Sequence, residues 1–452
     1  MNTIKRIVSI LLFVGMINSP AYSFTAAIEP PNENEIKSVI EEKYGINVVI
    51  SDEDEGIDMK ECLVVLERSL RRFPEGVIKE ITQSYDQKNI ETNVVINKTE
   101  IIAELFTDYI LTDDSATIHI NAFPSRLYKG TSIASEESTV HELGHFISGY
   151  IFELYGYDKL KEEFSKFNEG FEYGSWNENY EKIFLNKHSA KSFDDEISDL
   201  IWYTELHPDY LRNLNSVENE VIHEKVEYLA RVFDICFDSV DEESRLWMDA
   251  VPQEPDNWAV STITAMKNAS LIPEKFDGIY EAYITKEDFY TIAMHIVENR
   301  YGSDNLNTSF NLNTQEEHVT IDPVNGEIFL DDGISYEFED NLLCSSREGI
   351  FKAYQMGIIS HESAGLEPES YMTRLEAAKL MSYIADEFGT DISDYSEIFY
   401  DDLYNVSKSD KPFIYFVASR GLMKGYGTRF NPYGYCTYQE TYIMLLRLYN
   451  IL

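Results

Sequence analysis

The sequence predicts an α+β fold in two parts: a mostly helical front part with a small sheet, then three helix–loop–helix units that pack on one another. Three observations lead there. Between Glu35 and about Val240, runs with helical apolar spacing mix with short β-branched runs. From about residue 245 one pattern recurs three times. One helical run of the front part carries the pentapeptide His141-Glu142-Leu143-Gly144-His145.

Taken in order, residues 1–23 pair Lys5 and Arg6 with the apolar run Ile7–Met16 and end in the small-residue signal Ala21-Tyr22-Ser23. That pattern reads as a secretory signal, since the run is too short to span a bilayer. A chain exported from the cytoplasm and starting near Phe24 is expected, with residues 24–34 as a linker and no membrane span. A net charge of −43 disfavours nucleic acid and anionic membranes as partners. Cys62, Cys236, Cys344 and Cys436 are scattered without CxxC spacing, which argues against a zinc–thiolate site and leaves any disulfide pairing open.

Within the front part, residues 35–240, helices are expected over 35–44 and 57–72 and strands over 93–96 and 116–120. The second strand, which carries His119, ends shortly before the pentapeptide and is expected to wall a cleft and pair with an extended substrate. His119 itself reads as an edge-strand residue. Ser135 is placed to cap the next helix, with Glu136 and Glu137 in its first turn. Val140, Leu143, Ile147 and Tyr150 give it an apolar stripe. On such a helix His141 and His145 lie one turn apart on one face and can reach one zinc ion. Glu142 then projects near the open position as general base. Gly144 is costly in a helix interior, and a close backbone neighbour or a ligand passing over it would explain the cost.

One further protein ligand is required. His295, His318 and His361 fall in the later part of the chain, and His188 and His207 in polar, loop-like stretches. His223 lies in NEVIHEKVEYLARVFDICF, where Ile222, Val226, Leu229, Val232, Phe233 and Cys236 form a helical stripe. Glu227 flanks that stripe and is the expected third ligand; a surface glutamate paired with Lys225 or Arg231 is the plainer reading. Glu196, in DDEISDL, is a second candidate that loosely resembles the glutamate motif of thermolysin-like enzymes.

HELGH followed at a distance by VEYLARVF resembles the lethal-factor-like metallopeptidases, including the Pro-Pro endopeptidases, over roughly residues 57–237. The upstream LERSLRRFPEGVIKEI resembles the helical lead into that domain. The resemblance implies a zincin-type domain with one Zn2+ per chain on His141, His145 and Glu227, Glu142 as base, and a peptide or protein substrate. Two positions depart from the family pattern. Arg231 replaces a second glutamate, and Glu220 stands where the family has an oxyanion-steadying tyrosine. Tyr203, Tyr210 or His223 are the possible substitute donors.

The three repeated units are expected at 245–300, 335–388 and 398–452, with an insert at 301–334 whose Asn325-Gly326 reads as a hairpin turn. Each unit has a first helix ending at a small residue (Ser270, Gly357, Gly421) and a threonine (Thr285, Thr373, Thr437) that caps the second. The TRLEAA of the second unit, the GLMKGYGTRFNPYGYCTYQE of the third, and the WA and ITKEDF of the first resemble S-layer homology modules. The resemblance implies an all-α pseudo-threefold bundle that binds secondary cell-wall polymer and holds the chain at a bacterial surface. Arg374 keeps the family's polymer-contacting arginine, Lys286 keeps its charge, and Tyr438 keeps neither. The reading is thus a secreted, cell-surface zinc endopeptidase. A wall-binding or scaffolding protein with a weak or inactive peptidase fold is the alternative.

Overall fold

The computed structural model describes residues 33–50, 56–98, 109–124, 132–168, 170–174, 180–214, 219–241, 244–310, 318–321, 328–331, 348–358 and 370–452. The expected signal segment, nearly all of the linker, the Asn325-Gly326 turn, His361 and Cys344 lie outside them. Glu33 to Leu452 form one compact unit.

The front part opens with α1 (Glu33–Tyr44), which buries Ile36, Ile40 and Tyr44 at four-residue spacing. Then come β1 (Asn47–Ile50), α2 (Met59–Arg72) and α3 (Val77–Gln87). The Asp58 side chain caps α2 by accepting from the Glu61 amide. Strands β2 (Glu91–Lys98), β3 (Tyr109–Leu111), β4 (Ser115–Pro124) and β5 (Ser132–Ala134) complete the sheet. Its order is β1-β2-β4-β3, with β5 also on β4. β1, β2 and β4 run parallel, and β3 and β5 antiparallel. β4 alternates buried and half-exposed positions, sending Ala116, Ile118, Ile120 and Ala122 into the core.

The strand expected to wall the cleft is therefore an inner strand. β2 runs along one side of it, and β3 and β5 occupy parts of the other. His119 sits on this inner strand rather than on an edge.

α4 (Glu136–Ile151) carries the pentapeptide and continues through a π-helical turn, Phe152–Gly156, into α5 (Tyr157–Phe167). Ser135 occupies its N-cap position, but its hydroxyl makes no capping bond. The first turn is held instead by Arg68 and Arg72 of α2, which both pair with Glu136. Helices α6 (Phe193–Leu206), α7 (Pro208–Arg212) and α8 (Glu220–Cys236) finish the front part. Leu143, Phe146, Ile197, Ile201, Val226 and Phe233 share its core with the sheet.

The second part contains α9 (Val260–Asn268), α10 (Lys286–Tyr301), α11 (Ser303–Phe310), the antiparallel pair β6 (His318–Ile321) and β7 (Ile328–Asp331), α12 (Glu348–Gln355), α13 (Arg374–Glu387), α14 (Lys411–Ser419) and α15 (Tyr438–Ile451). Helices α9, α12 and α14 each end at a left-handed residue: Ser270 at φ 54°, Gly357 at φ 73° and Gly421 at φ 69°. In each case the next amide reaches back to close the helix: Leu271 to Met266, Ile358 to Ala353, Leu422 to Val417. Thr285, Thr373 and Thr437 cap α10, α13 and α15 by accepting from the amides of Asp288, Glu376 and Glu440.

The segments ahead of these three helices bond head to tail in a closed ring. The Ile284 amide donates to Cys436, that of Cys436 to Met372, and that of Met372 to Ile284, at 2.9–3.0 Å. Tyr283, Tyr371 and Tyr435 stand around the same axis with ring centroids 5.4–5.5 Å apart. A second ring joins the first residue of each capped helix to the third residue of the next. Lys286 pairs with Glu376, Arg374 lies against Glu440, and the Tyr438 hydroxyl donates to Asp288.

Arg212 of α7 joins the two parts. Its buried guanidinium donates to the carbonyls of Asp249, Lys275 and Asp277. Cys62, Cys236 and Cys436 are free thiols.

Candidate functional site

α4 and α6 cross at Gly144. A methyl group added there would lie 2.9 Å from the Ser198 carbonyl oxygen and 3.3 Å from the Ser198 Cα. The glycine thus lets the backbones of two helices touch, which explains its place in a helix interior. Close approach brings the residue after Ser198 into the site. The Oδ1 of fully buried Asp199 lies 3.2 Å from His141 Nδ1 and 3.3 Å from His188 Nδ1.

His188 reaches this point from the loop ahead of α6. The Asn186 side-chain oxygen accepts from the backbone amides of His188 and Ser189, at 2.6 and 3.0 Å. Ser192 then caps α6 by accepting from the Asp195 amide. The remaining ring nitrogen of His188, Nε2, lies 3.6 Å from Asp195 Oδ1. His141 therefore stands between two other imidazoles, with ring centroids 4.8 Å apart for His141 and His145 and 5.0 Å apart for His141 and His188. Glu142 is buried on the other side of His141, its Oε1 3.9 Å from Nε2.

Burial sets the charges of this group. It pushes His145 down to about 3, helped by His141 beside it, so that ring is neutral at physiological pH. His188 is raised, first by its bond to Asp199 and against its partial burial. Burial alone would raise Asp199, but the His141 and His188 rings beside it outweigh that and hold the carboxyl below its ordinary value. Among the described residues, His141, His188 and Asp199 are the group with ligand atoms close enough to share one metal ion, all within 4.8 Å of one another.

Trp202, one turn along α6 from Asp199, packs its ring edge-on to His141 at 5.3 Å. Its indole N–H and His207 Nε2 both donate to Glu137, at 2.8 and 3.0 Å. Tyr203 follows Trp202. Burial raises its phenol, although a bond to Asn186 of the His188 loop works against the rise. Tyr210 is exposed and packs on Tyr203 with centroids 5.6 Å apart.

The structure brings His141, Glu142 and His145 together, with Tyr203 close by, but it places the other expected residues elsewhere. Glu227 is exposed on α8, because that helix turns its apolar stripe of Ile222, Val226, Leu229, Val232 and Phe233 into the core. Glu196 is buried but committed: it takes the ammonium of Lys225 and the hydroxyl of Tyr173. His223 is buried with its Nε2 donating to the Leu211 carbonyl at 2.8 Å. His188 and Asp199 are the site residues the sequence reading missed. The available signal was the Asp195–Asp199 pair, four apart on one helical face, together with a glycine in α4 that demanded a close neighbour.

In the second part, Arg374 is 3% exposed and Lys286 7% exposed. Arg374 gives Nε and Nη2 to the carbonyls of Phe430 and Lys424, and the Tyr426 and Phe430 rings lie over its guanidinium. Neither residue offers a free cation to a polymer, because each is spent on the contact between units.

Residues 399–441, which run from the loop ahead of α14 into α15, match the S-layer homology domain. Domains of that family bind secondary cell-wall polymers, which points to a bacterial cell surface. No curated protein matches the chain. No helix among the described residues is long and apolar enough to cross a membrane.

Proposed function

We propose that the chain is a zinc-dependent endopeptidase held at a bacterial cell surface: the front part hydrolyses peptide bonds and the helical units anchor it. The observation that carries the first half is His141 of the pentapeptide packed between the His145 and His188 rings, with the Asp199 carboxylate 3.2 Å from its Nδ1 and Glu142 beside its Nε2. The donor types fit zinc, since imidazole nitrogens and carboxylate oxygens such as those of His141, His188 and Asp199 are what that ion takes from a protein. When bound, zinc would polarise the scissile carbonyl and acidify an attacking water.

The chain's own residues supply the rest. Glu142 accepts the proton of the attacking water and returns it to the leaving amine. Tyr203, placed beside the Trp202 ring that meets His141, is the donor for the developing oxyanion. The second half rests on the match at residues 399–441. With Arg374 and Lys286 buried, polymer contact falls to other residues of the units.

The test is Glu142→Gln, read as metal content and as cleavage of a random peptide library, beside wall sedimentation of the full chain. Retained metal with lost cleavage is expected. Equal cleavage by the variant would overturn the assignment of Glu142. A wild-type chain that binds metal and walls but cuts nothing would support the scaffolding alternative.

A further inference from the structure

The pentapeptide holds two histidines, yet only His141 belongs to the group of described residues whose donor atoms are close enough to share one ion. We infer that a single zinc ion is held by His141 Nδ1, His188 Nδ1 and Asp199 Oδ1, with His145 outside the ligand set and Asp199 a direct ligand. The inference rests on the reading of this site as a metal centre and names the atoms of that centre.

An unpartnered nitrogen is the first observation. His141 is 2% exposed, and its Nδ1 makes no hydrogen bond with the described residues. Asp199 Oδ1 lies 3.2 Å away, but not in the position of a hydrogen-bond acceptor. A buried ring nitrogen left unpaired beside a buried carboxylate costs free energy, and an ion bound to both atoms recovers it.

Spacing is the second. Two ligand atoms about 2.1 Å from a tetrahedral ion stand about 3.4 Å from each other. Asp199 Oδ1 lies 3.2 Å from His141 Nδ1 and 3.3 Å from His188 Nδ1, and one donor atom from each of the three residues lies within 4.8 Å of the others. The His188 side chain is 29% exposed, so it has room to turn and close the triangle. The Nδ1 proton that His188 offers to Asp199 is the one the ion displaces.

Orientation is the third. On both rings Nδ1 faces Asp199 while Nε2 faces a different carboxylate: Glu142 Oε1 at 3.9 Å for His141 and Asp195 Oδ1 at 3.6 Å for His188. A carboxylate on that side favours the proton on Nε2 and leaves the Nδ1 lone pair for the ion. The Asn186 side chain ties the amides of His188 and Ser189, so the loop that carries His188 is set before an ion arrives.

The experiment strips the full-length protein with a chelator and titrates it with Zn2+ and Co2+. It reads stoichiometry, affinity by competition and the absorption of bound cobalt, with the melting temperature of each stripped variant as a check on folding. Wild type should take one equivalent. His188→Ala and Asp199→Asn should each lose at least about 100-fold in affinity. His145→Gln should bind as tightly as wild type. His188→Cys gives a positive readout that does not depend on lost affinity: a sulfur bonded to cobalt adds a thiolate charge-transfer band in the near ultraviolet. Wild-type affinity in His188→Ala or Asp199→Asn, a loss in His145→Gln as large as the one expected of His188→Ala, or a folded His188→Cys without that band would each overturn the inference. Those results leave the metal-centre reading standing, whereas a wild-type chain that takes up no metal would end both.

Discussion

Replacing Gly144 by alanine tests whether the contact of α4 with α6 builds the site. The added methyl would sit 2.9 Å from the Ser198 carbonyl oxygen, about 0.5 Å inside ordinary contact. The obstacle is backbone, so the helices themselves must part. Overpacking of this kind costs about 1–3 kcal/mol, and alanine returns roughly 1 kcal/mol of helix propensity. The net expectation is destabilisation of about 0–2 kcal/mol.

Because stability alone discriminates weakly, Gly149→Ala serves as a control in the same helix. Its methyl would also come to 2.9 Å of a neighbour, but that neighbour is the ring edge of Tyr109, a side chain that can shift. Both variants gain the same propensity, so Gly144→Ala should be the less stable of the two in urea unfolding. It should also lose about 10–100-fold in zinc affinity, because His141 and Asp199 are drawn apart. Gly149→Ala should keep wild-type affinity. If Gly144→Ala proves about 1 kcal/mol more stable than wild type and binds zinc equally well, the helices do not touch as described.

Three further outcomes are expected. Lys225→Met leaves the Glu196 carboxylate buried without its cation and should cost about 3–5 kcal/mol in urea unfolding, while adding Glu196→Leu should recover most of it. Burial pushes Glu205 up to about 8 despite the bond from Trp247, so the stability tied to its protonated form is complete below about pH 4 and lost as pH rises through 8. Melting temperature should accordingly fall across that window, and Glu205→Gln should flatten the fall. Ser270→Gly relieves a left-handed non-glycine residue and should stabilise the protein by about 1 kcal/mol, read as a raised denaturation midpoint.

The sequence was readable where structure is local. Thr285, Thr373 and Thr437 cap helices, and Gly357 and Gly421 end them, because capping needs only a few neighbouring residues. The helix under His141 and His145 follows from its own periodicity. Which side chains join His141 depended on which helix lands beside α4, and that is a packing outcome. Helical angle alone put Glu227 on the flank of a buried stripe, while in space α8 turns it to solvent and buries Lys225 instead. His188 gave no periodic signal, since a loop held by Asn186 and Ser189 sets its position. Arg374 and Lys286 looked like surface cations because their partners, Glu440 and Glu376, belong to the next unit along the chain.

That hand-to-hand linkage of Lys286, Arg374 and Tyr438 to acids of the following unit has a cost for any shortened version of the protein. Cut the chain after Glu387 and the circle is broken on both sides at once: Asp288 keeps no phenol and Arg374 keeps no acid, although each lies inside a unit that was never touched. The tail should therefore survive whole or fail whole, and progressive trimming from the carboxyl end should find no stable halfway product.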